Sequence, residues 1–530
     1  MRAKFMVGSL GSIAVSIALS LVWPPAYWLL FLFVPAFILG LADIRQKGST
    51  LRRNYPLFGR GRYLMESLRP KIYQYFIESD IDGRPINRVF RSVVYQRSKK
   101  VRDTIPFGTE FDVYEPGYEW MSHSLAPGDP QQCDHDLRTT VGLSSTALPY
   151  NASLLNISAM SFGSLSRNAI RALNGGAKIG HFAHNTGEGG ISDHHLAPGG
   201  DIIWQIGTGY FGCRHHDGSF NLDKFAQRSR LAQVKMIEIK LSQGAKPGHG
   251  GILPAGKNTP EIAAIRDVPV ATDVISPPAH SAFATPLEMV NFIQQLRETA
   301  GGKPVGFKLC VGNRWEFMAL CKAMIETGIL PDFITVDGGE GGTGAAPVEY
   351  SNSVGSPLRE GLVFVIDTLI GFGLKDKIRV IASGKIITGF HILRVLALGA
   401  DMVNSARGMM LALGCIQALE CNNNQCPTGI ATQNPALYGG LDVADKEVRV
   451  ANFHGETMRS VAELLTAAGV AKPTDLRREH VFRRLNRQQI GSFAEIYPYP
   501  EVGCLLAGTA PAALAAYFAR AQAESFAPAI

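Results

Sequence analysis

Three cysteines lie within twelve residues: Cys415, Cys421 and Cys426, spaced C-x5-C-x4-C and followed at once by Pro427. The polar run Asn422, Asn423, Asn424, Gln425 marks an exposed turn between the last two rather than a packed helix. Thiolates suit iron–sulfur clusters or zinc. Three of them leave open a cluster with three iron ligands, a zinc site short of its fourth ligand, or three unrelated buried thiols.

A second constellation is Glu238-Ile-Lys-Leu-Ser-Gln-Gly-Ala-Lys-Pro-Gly-His-Gly-Gly251. Lys240 and Lys246 flank a glycine-containing loop after an apolar run, Arg266 follows on a short helix, and Glu188 sits in Asn185-Thr-Gly-Glu-Gly-Gly190. Cations of this kind pair the carboxylates of a small dicarboxylate while the glycines bring backbone donors close. Solvated surface charge is the plainer alternative. His181, His184, His194, His195, His215 and His216 match no zinc spacing and read as polar loop residues. Gly207-Thr-Gly-Tyr-Phe-Gly212 and Gly339-Glu-Gly-Gly-Thr-Gly344 resemble dinucleotide fingerprints, but neither runs into a helix, which excludes an NAD(P) or FAD reading.

The elements that must position these groups alternate. Short β-rich runs fall at 154–160, 201–206, 235–241, 271–276, 305–310, 333–336, 378–382 and 402–405, with helical patterns at 166–178, 314–327, 358–372, 388–398 and 408–419. Such alternation implies parallel βα units. Their number and span fit a closed (β/α)8 barrel, although an open doubly wound sheet shares the pattern. In a barrel the chemistry follows the strands, at 160–164, 308–310, 337–344, 383–385 and 406–408. The Ser-Gly and Arg-Gly pairs in the last two suit a phosphate, or are ordinary turn glycines.

The N-terminus has a different texture. From Phe5 to Ala42 no residue is charged, and Pro24-Pro25 divides the run into Phe5–Trp23 and Ala26–Ala42. A crossing needs about 17–25 apolar residues, so a membrane hairpin fits. A cleaved signal peptide and a buried hairpin are the competing readings. Between Arg45 and Arg62 there are six Lys or Arg and no Asp or Glu. The positive-inside rule then puts both ends in the cytoplasm. The chain has 530 residues, a net charge of +7 and 46% hydrophobic residues. That composition is a globular protein with no nucleic-acid tail, and eight cysteines in this length are no disulfide scaffold.

The ordered motifs Ile157–Ser164, Asn185–Gly190, Glu238–Gly251, Ile275-Ser-Pro-Pro278, Asp337–Ala345 and Leu413-Gly-Cys415 through Gln433 resemble the synthase part of glutamate synthase over roughly residues 150–470. The resemblance implies an α/β fold: a (β/α)8 TIM barrel, here behind a transmembrane helical hairpin (1–44) and a mixed, loop-rich extension (45–150). The barrel with its iron–sulfur loop would occupy 151–470, and a mostly helical tail 471–530. It implies FMN and a [3Fe–4S] cluster held by Cys415, Cys421 and Cys426. It also implies reductive amination of 2-oxoglutarate through 2-iminoglutarate to L-glutamate, with hydride from reduced FMN.

By the same resemblance Glu188, Lys246 and Arg266 hold the oxo acid, and Lys240 contacts flavin or substrate. Ala159, Met160 and Ser161 line the flavin, Lys308 sits at its ring, and Ser383, Gly384, Arg407 and Gly408 hold its phosphate. Implied partners are ammonia or an amine donor, ferredoxin or another electron-donor protein, and the lipid bilayer; a homo-oligomer is compatible. The implied location is the cell inner membrane with the catalytic part in the cytoplasm. The chain departs from the family pattern at His249, where Glu is usual, and at Ile252, where Gln is usual, and it has no room for a glutaminase domain. Alternatives are another flavin-dependent amine–glutamate transferase or redox enzyme, or a membrane electron-transfer subunit.

Overall fold

A computed structural model describes residues 1–101, 104–143 and 148–529. The chain divides into two compact units, Met1–Asn87 and Arg88–Ile530.

In the first unit, helix α1 (Arg2–Val22) is followed by a 3-10 turn (Pro24–Leu29) and helix α2 (Leu30–Arg45). The Pro24-Pro25 pair ends α1, because proline has no N–H to continue the ladder, and it opens the next turn, where none is needed. α1 and the stretch Pro24–Arg45 are long and apolar enough to cross a membrane, with mean hydropathies of 2.1 and 2.0. A Cβ at Gly40 would collide with the Phe5 ring, so glycine lets the two helices approach. Two further helices follow, α3 (Thr50–Asn54), capped by Ser49, and α4 (Phe58–Ile72), which continues into a π-helical turn, Tyr73–Ile77.

In the second unit eight parallel strands close into a barrel. They are β1 (Leu155–Ile157), β2 (His184–Asn185), β3 (Ile202–Ile206), β4 (Val234–Lys240), β5 (Val305–Leu309), β6 (Phe333–Asp337), β7 (Arg379–Ser383) and β8 (Met402–Ser405). Each pairs with its neighbours in chain order, and Val403 of β8 lies opposite Leu155 of β1 to complete the ring. The barrel alternative is therefore the one adopted. Nearly every strand residue is buried, as expected of strands covered on both faces.

Local signals start the helices. Ser166 and Thr388 accept from backbone N–H groups at their helix N-termini, and Thr285 with Glu288 forms a reciprocal capping box ahead of Pro286.

The run at 271–276 is not a barrel strand: Val274–Ile275 pairs antiparallel with Ile252–Leu253, outside the ring. The strand in its place is β2, whose two residues are too short to show a period. The helix expected over 408–419 stops early, at Arg407–Ala412, because the chain turns at Gly414 (φ +103°) to open the cysteine loop. Ahead of the barrel, Arg88–Ser98 is helical and Glu119–Met121 pairs with Val481–Arg484 of the tail, which also contains the strand Ile490–Ser492 beside its short helices.

Candidate active site

A cavity of about 160 Å³ opens at the C-terminal ends of the strands, where barrel chemistry resides. The loop after β1 supplies Ala159, Met160 and Ser161, that after β2 Glu188, and that after β4 Lys246 and Arg266. Gln205 and Lys240 reach it from β3 and β4, and Arg407 enters just after β8.

Glu188, Lys240, Lys246 and Arg266, spread over 79 residues of sequence, meet on this wall. Lys240 Nζ lies 3.0 Å from Glu188 Oε1. Lys246 Nζ donates to the Ala345 carbonyl at 3.0 Å. Arg266 donates through Nη2 to the Phe162 carbonyl at 3.2 Å, and its guanidinium lies 5.0 Å from the Phe211 ring centroid. Its Nε is buried with no hydrogen-bond acceptor.

Glycine makes this convergence possible. A Cβ at Gly207 would stand 2.8 Å from Glu188 Oε2, and one at Gly251 2.8 Å from Glu188 Cδ. Likewise a Cβ at Gly189 would stand 2.9 Å from Arg266 Nη2.

Burial works against each of these charges. It would raise the Glu188 carboxyl, but Lys240, then Lys246 and Arg266, outweigh it and the net shift is downward. Burial lowers Lys240 despite the opposing pull of Glu188, and brings Lys246 to about 8 and Arg266 to about 10.

Lys308 sits opposite Lys240 on the adjacent strand, is buried, and faces Asp337 Oδ2 at 3.8 Å; it is not on the cavity wall. Ser383, Gly384 and Gly408 also lie off that wall. Ser383 Oγ is 3.4 Å from Ser158 Oγ, Gly384 packs under Leu358, and Gly408 is buried against Ser405 and Phe453. Of the two departures from the family pattern, Ile252 lines the cavity, whereas the His249 ring packs edge-on to Tyr350 and is not on its wall.

The cysteine loop borders the same cavity through Cys421 and Asn422. The three thiols are close enough to interact electrostatically. Burial raises Cys415 to about 11 and also raises Cys421. Cys426 moves the other way: burial is outweighed by the Thr428 hydroxyl, 3.4 Å from Sγ, and by the backbone N–H groups of Ala431, Thr428 and Ile430. Among the described residues no three His, Cys, Asp or Glu are grouped to hold a single metal ion. The Tyr95 hydroxyl, from Arg88–Ser98, donates to the Cys415 carbonyl at 2.6 Å and fixes the start of the loop.

Several contributors carry no sequence signal. Lys257 Nζ, buried, donates to the carbonyls of Cys421 (2.7 Å), Ala431 (2.9 Å) and Ser164 (3.2 Å), tying the cysteine loop to the loop after β1. Glu238, fully buried inside the barrel, accepts from Gln205 at 2.6 Å, Asn185 at 2.8 Å and Thr335 at 2.6 Å, which orients the Gln205 amide on the cavity wall. The histidine expectation needs correction. His184, His194 and His195 are buried, not loop-exposed, and desolvation pushes His184 to about 3, so that it is neutral.

Residues 143–471 match the family model described as the conserved region in glutamate synthase. The chain is 37% identical over 495 residues to the glutamate synthase large subunit-like protein YerD of Bacillus subtilis, covering 86% of this chain and 93% of that one. It is 35% identical over 322 residues to the archaeal glutamate synthase [NADPH] of Methanocaldococcus jannaschii, 61% of this chain and 60% of that one. A mandelate oxidase structure superposes with a TM-score of 0.40 at 15% identity, over 79% of this chain and 95% of that one. The cavity at the strand ends and the match across the barrel lead to one conclusion: the chain belongs to the glutamate synthase family of oxidoreductase enzymes.

Proposed function

We propose that the protein makes L-glutamate by reductive amination of 2-oxoglutarate, using FMN and a [3Fe–4S] cluster, with electrons from ferredoxin or another protein. The observation that carries this reading is the charge of the cavity wall. Lys240, Lys246, Lys257, Arg266 and Arg407 bear five positive charges against one on Glu188, a net of 5 − 1 = +4, and Arg266 Nε has no acceptor. A dicarboxylate offsets two of these charges and supplies that acceptor.

The residues fit a flavin. Ala159, Met160 and Met410 give an apolar surface beside the polar Ser161, Gln205, Lys240 and Arg407. Lys308 lies behind Lys240, off the cavity wall, and would act on negative charge at the ring through the field of its ammonium. Of Ser383, Gly384, Arg407 and Gly408, at the ends of β7 and β8, Arg407 reaches the cavity wall and would hold the phosphate, with the other three behind it. Cys426 fits a cluster ligand, because N–H and O–H donors aimed at it stabilise a thiolate, and Cys415 and Cys421 stand close enough to it to share one group. When bound, FMN supplies the hydride that reduces the imine carbon, and the cluster passes single electrons.

The chain's own groups do the rest. Arg266 and Lys246 bind the substrate carboxylates. Lys240 holds Glu188 in place and contacts flavin or substrate. Lys246 Nζ, near pKa 8, can hold or release the proton that imine formation moves. The hairpin α1–α2 anchors the enzyme in the cell inner membrane with both ends in the cytoplasm, which the six basic residues between Arg45 and Arg62 support.

Arg266→Ala should abolish glutamate formation from 2-oxoglutarate and ammonia while flavin absorbance is retained; unchanged turnover would remove the assignment. Ile252 on the cavity wall favours a second reading, an amine–glutamate transferase or another flavin redox step on the same scaffold. Anaerobic reoxidation of the reduced protein by 2-oxoglutarate with ammonia, compared with alkylamines, separates the two.

A further inference from the structure

Helix α4 has one apolar face with basic edges. At roughly 100° per residue, Phe58, Leu64, Met65, Leu68 and Ile72 fall within an arc of about 120°. Arg62 and Arg69 border one edge of the arc, and Arg60 and Lys71 the other. This face is open: Phe58 is 79% exposed, Leu64 55%, Met65 59% and Ile72 41%, and Phe76 in the following π turn is 85% exposed. The only carboxylate on the helix is Glu66, paired with Arg62 at 2.8 Å.

The start of the helix is tied to the hairpin at both of the hairpin's ends. Asp43, fully buried near the end of α2, accepts from Arg60 Nη2 at 2.8 Å and from the Leu57 N–H at 3.2 Å. Arg2, the first residue of α1, donates to the Arg53 carbonyl at 3.0 Å and to Asn54 Oδ1 at 2.6 Å, just ahead of α4. The Ser49 hydroxyl, which caps α3, lies 2.6 Å from the Tyr63 hydroxyl of α4. α4 therefore begins where two apolar spans end, on the side that carries the basic residues.

We propose that α4 is an interfacial helix that binds anionic phospholipid. Its apolar arc lies at the headgroup–acyl boundary, while Arg62, Arg69 and Lys71 extend their stems along it and hold lipid phosphates, and Arg60 stays on Asp43. The inference rests on the membrane reading of α1 and α2. Continuity with the spans and basic charge on both edges favour a bilayer over a second protein as the occupant.

The test uses the full-length protein in nanodiscs of phosphatidylcholine alone or with one-third phosphatidylglycerol, followed by hydrogen exchange across residues 58–77. Exchange should slow about tenfold in the anionic discs relative to the neutral ones, and high salt should reverse the effect. Leu64→Glu with Leu68→Glu should remove the protection. Arg62→Ser with Arg69→Ser, which leaves the apolar arc intact, should remove only its dependence on phosphatidylglycerol. Equal exchange in both discs overturns the proposal, whether fast, with the helix in water, or slow, with a protein surface covering it. Alkaline carbonate extraction of native membranes tests the hairpin separately. Release would overturn both readings; retention with lipid-independent exchange would overturn this one alone.

Discussion

Lys246 has the most testable chemistry of the six charged groups that line the cavity. Burial depresses its ammonium to about 8, so it is cationic below that pH and neutral above it. Pairing with a substrate carboxylate needs the cation, so binding is intact below pH 8 and is lost as pH rises through that value. The KM for 2-oxoglutarate should rise above pH 8 while kcat changes less, and Lys246→Arg should flatten the profile; a KM independent of pH from 7 to 9 would refute this. If the proposed cofactors are bound, Cys421→Ser should remove the EPR signal of the oxidised [3Fe–4S] cluster and leave flavin absorbance, because Cys421 only borders the cavity. These residues were legible in the sequence because charge flanked by glycine, directly after an apolar run, has few structural uses. Gln205 was not, since within Ile202–Ile206 it reads as one polar interruption of a buried strand, and its purpose is visible only once Glu238 faces it.

At the scale of elements, two contacts carry the geometry. Gly251 follows the lysine loop and leaves space for Glu188. Gly251→Ala would place a methyl 2.8 Å from the Glu188 Cδ, at a cost of about 1–3 kcal/mol in local strain. Glutamate formation should fall roughly tenfold or more with little change in Tm; an unaffected rate would show that the cradle is dispensable. On the outside of the barrel, Arg297 and Asp332 are both buried, 3.1 Å apart, and Asp332 also accepts from the N–H of Val305, the first residue of β5. Asp332→Ala leaves a buried guanidinium without its carboxylate and should cost about 3–5 kcal/mol, read as a lowered Tm. The strand–helix alternation was visible in sequence from 305 onward because each run is four to six mostly apolar residues ahead of a helical pattern. β2 was not visible, because a two-residue strand has no periodicity and its His184 looks polar until the barrel closes around it.

For the whole molecule, the two compact units separate two tasks. The barrel unit carries its own closed sheet, its cavity and the cysteine loop. A chain beginning at Arg88 should therefore remain folded and form glutamate with an artificial electron donor, while leaving the membrane fraction; loss of flavin or activity would mean that the first unit supports the catalytic one. The N-terminal pair of helices was legible because 38 uncharged residues broken by a Pro pair read as two apolar helices. The ties that hold its basic end together were not, since Asp43 is a single acid whose partners lie up to 17 residues away.

One ammonium ion connects the fates of two sites. Lys257 bonds at once to Ser164 beside the loop after β1 and to Cys421 and Ala431 around the cysteine loop. Damage to one site should therefore spread to the other. If the cysteine loop holds the proposed [3Fe–4S] cluster, losing that group should loosen the proposed oxo-acid site through this one ammonium, and the two functions would fail together.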